Sequence, residues 1–268
     1  MTFPELVEAW LTPPRFPPPA FPTEPERFRL RLPEQPLTGF ALESCPEALG
    51  LGAEIQCYHW PGLGPTILLA HGWGGSAAQF AAWIKALHGE GYRVLAYDAP
   101  GHGESEGRFS SAPASAAALT ALATWNTAPL AGIITHSLGA IATTLALAEG
   151  VACRQVIFLA PVCFVTDDLV IVGRQNGLPP EQEEALVRYF TQSFGTDLTV
   201  LSALERIAEP PALTIFHDRA DANVPYAEAE LIQAHWPGSQ LVEVPRAGHT
   251  RILLSKHAIQ QTLTLLQS

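Results

Sequence analysis

Residues Ala131-Gly132-Ile133-Ile134-Thr135-His136-Ser137-Leu138-Gly139-Ala140 pass from an apolar, strand-like run to a helix-like run with no loop between them. The helical pattern that follows continues to Glu149. A chain that changes period this abruptly must make a sharp strand-to-helix turn, and the residue at its apex is pushed out over the end of a sheet. That residue is Ser137. The local pattern approaches G-x-S-x-G, with Thr135 where the first glycine would stand. Ser137 is therefore the candidate nucleophile among the serines of this chain.

The same alternation extends over most of the sequence. Strand patterns cover Arg27–Leu32, Ala53–Trp60, Pro65–Ala70, Tyr92–Tyr97, Leu130–His136, Val156–Ala160, Ala212–Phe216 and Gln240–Val244. Helix patterns cover Ala77–His88, Pro113–Trp125, Leu138–Glu149, Tyr226–His235 and Thr250–Leu266. Short apolar strands alternating with helices predict right-handed β-α-β units and a mostly parallel sheet, with helices on both faces. Ligands of such sheets bind beyond the carboxyl ends of the strands.

Two segments break the rhythm. Residues 1–28 carry a short helical pattern, Phe3–Leu11, and then Pro13, Pro14, Pro17, Pro18, Pro19, Pro22 and Pro25. Such proline density excludes an inner strand and favours extended geometry, so this stretch reads as an arm over the surface of the domain formed by residues 29–268. Residues 162–207 interrupt the alternation after Ala160. Within them Pro180–Phe194 is an amphipathic helix pattern, with Leu186, Tyr189, Phe190 and Phe194 on one face and a Glu184/Arg188 pair on the other. An insertion leaving the sheet at this point is expected to cap the site, and those four side chains are expected to line an apolar pocket. The alternative is a decoration whose aromatic face only packs on the domain.

A serine hydroxyl needs a base, and the base needs an orienting acid. Downstream of Ser137 two strand ends supply them. One runs into His217-Asp218-Arg219-Ala220-Asp221-Ala222-Asn223-Val224-Pro225, the other into Pro245-Arg246-Ala247-Gly248-His249. His249 is the candidate base; Asp218 and Asp221 both stand where the acid is required. Upstream, the glycine-rich loop His71-Gly72-Trp73-Gly74-Gly75 follows a strand directly. It lacks a phosphate-loop signature, and it can turn a backbone N–H toward a developing oxyanion. The N–H groups of Trp73 and Leu138 are the candidate donors, and His71 is expected to brace the loop.

The remaining composition excludes other partners. A formal charge of −11 and a pI near 5.2 disfavour nucleic acid and anionic membranes. No apolar run is long enough to span a bilayer, and Met1-Thr2-Phe3-Pro4-Glu5 shows no secretory signal, so a cytoplasmic location is expected. The nine histidines form no metal-binding pattern, and no metal or cofactor is expected. Cys45, Cys57, Cys153 and Cys163 read as reduced, buried thiols in preference to a Cys45–Cys57 bridge.

Four segments together resemble the α/β-hydrolase superfamily: His71-Gly72-Trp73-Gly74-Gly75, Asp98-Ala99-Pro100-Gly101-His102-Gly103-Glu104-Ser105, His136-Ser137-Leu138-Gly139, and Asp221-x-x-Val224-Pro225 with Gly248-His249. The match spans roughly residues 50–268 apart from the insertion. The resemblance implies an eight-stranded, mostly parallel sheet, a helical cap after the sixth strand, and Asp221 as the acid supporting His249. It also implies that Asp98 and His102 belong to a structural turn. Ser137 stands where dehalogenase-like and epoxide-hydrolase-like relatives carry Asp, and no proline follows Trp73; both departures point to ester chemistry. The expectation is a serine hydrolase of a small-molecule substrate, cleaving a carboxylic ester or thioester of any acyl length through an acyl-enzyme on Ser137. An acyltransferase, thioesterase or peroxide-dependent relative, and a silent ligand-binding member, are the alternatives.

Overall fold

The computed structural model describes residues 1–35, 37, 46–195 and 197–267. Cys45 lies outside them; Cys57, Cys153 and Cys163 are free thiols. The chain order is α1 (Phe3–Trp10), β1 (Glu26–Arg31), β2 (Glu54–Trp60), β3 (Thr66–Ala70), α2 (Ala81–Gly89), β4 (Arg93–Tyr97), α3 (Ala112–Trp125), β5 (Leu130–His136), α4 (Gly139–Ala148) and β6 (Cys153–Leu159). It continues with α5 (Thr166–Gln175), α6 (Glu183–Phe194), α7 (Val200–Leu204), β7 (Ala212–His217), α8 (Tyr226–His235), β8 (Gln240–Glu243), α9 (Gly248–Arg251) and α10 (Lys256–Gln267).

The eight strands form one sheet in the order β1-β2-β4-β3-β5-β6-β7-β8. β1 and β2, and β2 and β4, pair antiparallel; every later pair is parallel. This is the α/β-hydrolase fold that the motifs implied. Alternate strand residues feed two cores. Leu68, Leu95, Ile133 and Phe158 pack under α3, α4 and α8, while Ile67, Val94, Ile134 and Ile157 pack under α2 and α10. β5 is buried along its whole length, as a strand covered on both faces must be.

Several boundaries differ from the sequence patterns. The final helix, expected over Thr250–Leu266, is two helices. A 3-10 turn at Ile252–Leu254 and extended Ser255 interrupt it, and the Ser255 hydroxyl caps α10 by accepting from the N–H of Ala258 at 3.2 Å. The helix expected over Ala77–His88 opens as a 3-10 turn, Ala77–Phe80. β6 begins at Cys153, earlier than its apolar run, because Arg154 and Gln155 disguise its start. It ends where Ala160 turns to φ +47°.

The insertion leaves the sheet between β6 and β7 as three helices, α5, α6 and α7. Pro179 and Pro180 open the α6 region through a 3-10 turn, and Gly195 at φ +76° stops the helix with a left-handed cap. Residues 1–28 do more than lie over the surface. Leu6, Val7, Trp10 and Leu11 of the first segment are 0–5% exposed and belong to the same core as β5 and α4.

Candidate active site

Three loops beyond the carboxyl ends of β5, β7 and β8 bring Ser137, Asp221 and His249 together. Ser137 follows β5 directly and holds φ +55°, a left-handed conformation unusual for a side-chain-bearing residue. Its N–H donates to the Leu159 carbonyl at 3.0 Å, and its carbonyl accepts from Ala140 at 3.0 Å and Val162 at 3.2 Å. The turn is thus pinned on both sides. Close approach makes two glycines obligatory. A Cβ on Gly72 would stand 2.8 Å from Ser137 Cβ and 2.9 Å from the His136 carbonyl. One on Gly139 would stand 2.8 Å from the Ala70 carbonyl and collide with Thr135 Oγ1. The unusual Thr135 is accommodated because its hydroxyl occupies the space that a side chain at 139 would need.

His249 Nε2 lies 3.0 Å from Ser137 Oγ, and its Nδ1 lies 2.9 Å from Asp221 Oδ2. Since an ionised carboxylate only accepts, Nδ1 carries the proton and Nε2 faces the serine as acceptor. Asp221 Oδ1 accepts the N–H groups of Asn223 at 2.8 Å and Val224 at 3.1 Å. His217 Nε2 approaches Oδ2 at 3.3 Å. Burial works to raise the Asp221 pKa, but the hydrogen bonds from His217, His249 and the two N–H groups outweigh it and hold the carboxyl far below its usual range.

Asp218 serves a different partner. Its Oδ2 accepts from the Gly248 N–H at 2.6 Å and its Oδ1 from Ala220 at 3.0 Å, so it ties the acid loop to the loop carrying His249. Burial raises its pKa and the N–H groups of Gly248, Ala220 and Arg246 lower it, with a net downward shift.

The glycine-rich loop after β3 lies against Ser137 through Gly72. Two neutral histidines hold it. His71 donates from Nδ1 to the Gly72 carbonyl at 2.7 Å and accepts the Ala99 N–H at Nε2, at 2.9 Å. His102 donates from Nδ1 to the Pro100 carbonyl at 3.0 Å and accepts the Gly74 N–H at 3.1 Å. Burial lowers the pKa of His71, and it pushes that of His102 down to about 3. Asp98 organises the adjoining turn: Oδ1 accepts from Ala77 at 2.8 Å, and Oδ2 accepts from Tyr58 Oη at 2.8 Å and Glu104 at 2.9 Å. Among the described residues, the N–H groups of Trp73 and Leu138 have no hydrogen-bond acceptor.

The four side chains expected to line a pocket are used otherwise. Leu186, Phe190 and Phe194 are 0–1% exposed and point into the core of the cap, where burial of a continuous apolar face outweighs any gain from leaving it open to solvent. Tyr189 packs beside Phe3 with ring centroids 6.0 Å apart. A cavity of about 130 Å³ lies beside the acid loop, lined by Val162, Phe164, Ile171 and Val224 together with the polar Asp167, Asn223 and Glu228.

Three contributors carried no sequence signal of their own. His217 supports Asp221. His136 packs its ring 4.8 Å from that of His249 and donates from Nε2 to the His249 carbonyl at 2.9 Å. Trp10 stacks on Trp73, rings 5.4 Å apart and inclined by 10°. Only adjacency to a strand end marked the two histidines; Trp10 stood in a segment read as peripheral. Among the described residues no group of three or more His, Cys, Asp and Glu side chains is gathered as a metal site requires, and no helix is long and apolar enough to cross a membrane.

Comparison with known proteins agrees with this architecture. Residues 64–235, well over half of the chain, match the family described as serine aminopeptidase, S33 (Hydrolase_4). Among solved structures, the Pyrococcus furiosus esterase Pf2001 is 19% identical, covers 96% of this chain and 97% of its own, and superposes with a TM-score of 0.69. Est1E from Butyrivibrio proteoclasticus, solved with ferulic acid bound, is 19% identical over 81% of this chain and 96% of its own, with a TM-score of 0.64. The Exiguobacterium antarcticum esterase EaEST is 16% identical over 81% of this chain and 97% of its own, with a TM-score of 0.60. At these identities the likeness is one of fold.

Proposed function

Because the chain belongs to the serine aminopeptidase, S33 hydrolase family, we propose that it is a serine hydrolase cleaving carboxylic esters or thioesters through an acyl-enzyme on Ser137. The observation that carries this reading is the unbroken hydrogen-bond chain from Asp221 Oδ2 through both ring nitrogens of His249 to Ser137 Oγ. The esterase names of the three structural neighbours support the ester as the bond attacked.

In this reading His249 Nε2 takes the Ser137 proton as Oγ attacks the acyl carbonyl. The N–H groups of Trp73 and Leu138 receive the oxyanion, and Asp221 holds the tautomer of His249 and stabilises its charged form. Protonated His249 then gives its proton to the departing alcohol or thiol oxygen or sulfur. Water, deprotonated in turn by His249, attacks the acyl-enzyme; Ser137 regains its proton and the acid leaves. The strained φ of Ser137 keeps Oγ aimed at the site.

A fluorophosphonate probe should label the protein at Ser137, and Ser137→Ala should lower kcat on p-nitrophenyl acetate by about 10⁴-fold or more. Folded protein that takes no label and hydrolyses no ester would overturn the reading. The family description favours one second reading, removal of an N-terminal amino acid from a peptide. Faster turnover of aminoacyl p-nitroanilides than of simple esters would establish it, and product partition with added alcohol or peroxide distinguishes hydrolysis from acyl transfer.

A further inference from the structure

We propose that Trp10, on the N-terminal helix, is the specificity-determining wall of the acyl site, and that the protein therefore acts on esters of short acyl groups. The inference rests on the acyl-enzyme reading above. Geometry at the attacked carbon sets the directions. The leaving oxygen must face His249 Nε2 to receive its proton, so the acyl group extends to the opposite side of Ser137. In the sheet, His249 and Asp221 follow β8 and β7 on one side of β5, whereas Trp73 follows β3 on the other. With the oxyanion held at the Trp73 and Leu138 N–H groups and the leaving oxygen turned to His249, the acyl chain runs out past the Trp73 loop and meets whatever covers it.

What covers it is α1. Trp73 is partly exposed; Trp10 stacks on its ring, and Phe190 of the cap meets Trp10 edge-on at 5.1 Å and 86°. Trp10 and Phe190 are 5% and 1% exposed, so an acyl chain passing Trp73 meets a filled aromatic stack. This stack is anchored. The Leu11 carbonyl accepts from Ser110 at 2.9 Å, and Arg15 donates to the carbonyls of Gly101 at 2.9 Å, Gly107 at 2.6 Å and Ser105 at 3.1 Å. Pro14 lies on Gly74, with its Cγ 3.0 Å from where a Cβ would be. Removing Trp10 from its place would therefore require breaking bonds along the whole segment. The leaving alcohol points the other way, toward His249, so the Trp10 stack sets no limit on its length.

The test is a series of p-nitrophenyl esters from acetate to octanoate, run beside a series of acetates from ethyl to octyl alcohol. The wild-type protein is expected to lose kcat/KM steeply with acyl length and little with alcohol length. In Trp10→Ala the octanoate-to-acetate ratio of kcat/KM should rise by about tenfold or more, the scale of a methylene-sized change in an apolar pocket. The octyl-to-ethyl ratio of the alcohol series should not move, whereas a purely structural role for Trp10 would leave both ratios alone. Trp10→Phe, which keeps a ring in the core, should shift the acyl ratio in the same direction to a smaller extent and decides the matter if the alanine variant does not fold. Wild-type protein that turns over octanoate as well as acetate, or an acyl ratio unchanged in a folded variant, overturns the inference. Absence of all ester turnover and of Ser137 labelling instead overturns the hydrolase reading, and this inference with it.

Discussion

Asp218 and Asp221 stand three residues apart and both are held ionised, yet their partners separate them. Asp221 reaches the imidazole of His249; Asp218 reaches the backbone of Gly248 beside it. If Asp221 orients the base, Asp221→Asn should lower kcat by about 10⁴-fold, because an amide no longer fixes the required tautomer. Asp218→Asn removes the charge behind the bonds from the Gly248 and Ala220 N–H groups and turns one acceptor oxygen into a donor, so it should cost far less in kcat while lowering thermal stability. Steady-state kinetics and melting curves of the two variants check this, and a larger loss of kcat in Asp218→Asn would exchange their roles. At this scale the sequence was informative where chemistry and position coincide. Ser137, Asp221 and His249 are each a reactive type just past a strand. Which aspartate faces which atom depends on a loop conformation, set by N–H groups of Asn223, Val224 and Gly248 that no residue type announces.

The turn from β5 into α4 shows the same limit one scale up. The strand and helix were legible from their apolar runs, but the consequence of Thr135 was not. Thr135 Oγ1 is buried without a partner, and it fits only because residue 139 has no side chain. Gly139→Ala should therefore destabilise the protein by about 1–3 kcal/mol, the usual cost of overpacking. Adding Thr135→Gly should recover part of that loss, since it removes the nearest of the three close contacts and leaves the Ala70 and His71 carbonyls. Denaturant melts of the two single variants and the double variant measure the coupling, and strictly additive effects would contradict it. Helices α5 and α7 escaped the sequence patterns for a related reason. α7 has only five residues, and α5 carries the poor helix formers Val170, Ile171, Val172 and Gly173 in succession, so neither announces a helix on its own. α1 was legible as a helix, but not as a wedge between the cap and the Trp73 loop, because its apolar face is explained only by what it meets.

For the whole molecule, acidification sets two effects against each other. With a formal charge of −11, the protein approaches neutrality as pH falls toward its pI near 5.2, and relief of self-repulsion should stabilise it. Three buried histidines act in the other direction. Burial lowers the pKa of His71, and it pushes those of His102 and His136 down to about 3, the neighbouring His71 and His249 respectively adding to the shift. Each is neutral in the fold yet takes up a proton in the unfolded chain below about pH 6.5, so the unfolded state binds more protons in that range. The stability that His102 and His136 contribute is thus full above about pH 6.5 and falls as pH drops toward 3, by up to about 1.4 kcal/mol per pH unit for each of these two, and His71 acts in the same direction. The depressed carboxyls of Asp218 and Asp221 add a second loss only at lower pH, once their unfolded counterparts begin to protonate below about 3.9. Buried charge is the costlier term, because surface repulsion is screened by salt while burial is not. Unfolding free energy in physiological salt should therefore decline from pH 7 to pH 5. His102→Gln keeps an acceptor for the Gly74 N–H but cannot titrate, and should make that decline shallower. Denaturant melts at stepped pH values measure both slopes; stability that rises toward the pI, or a slope that His102→Gln leaves unchanged, would show that surface charge governs the acid limb instead.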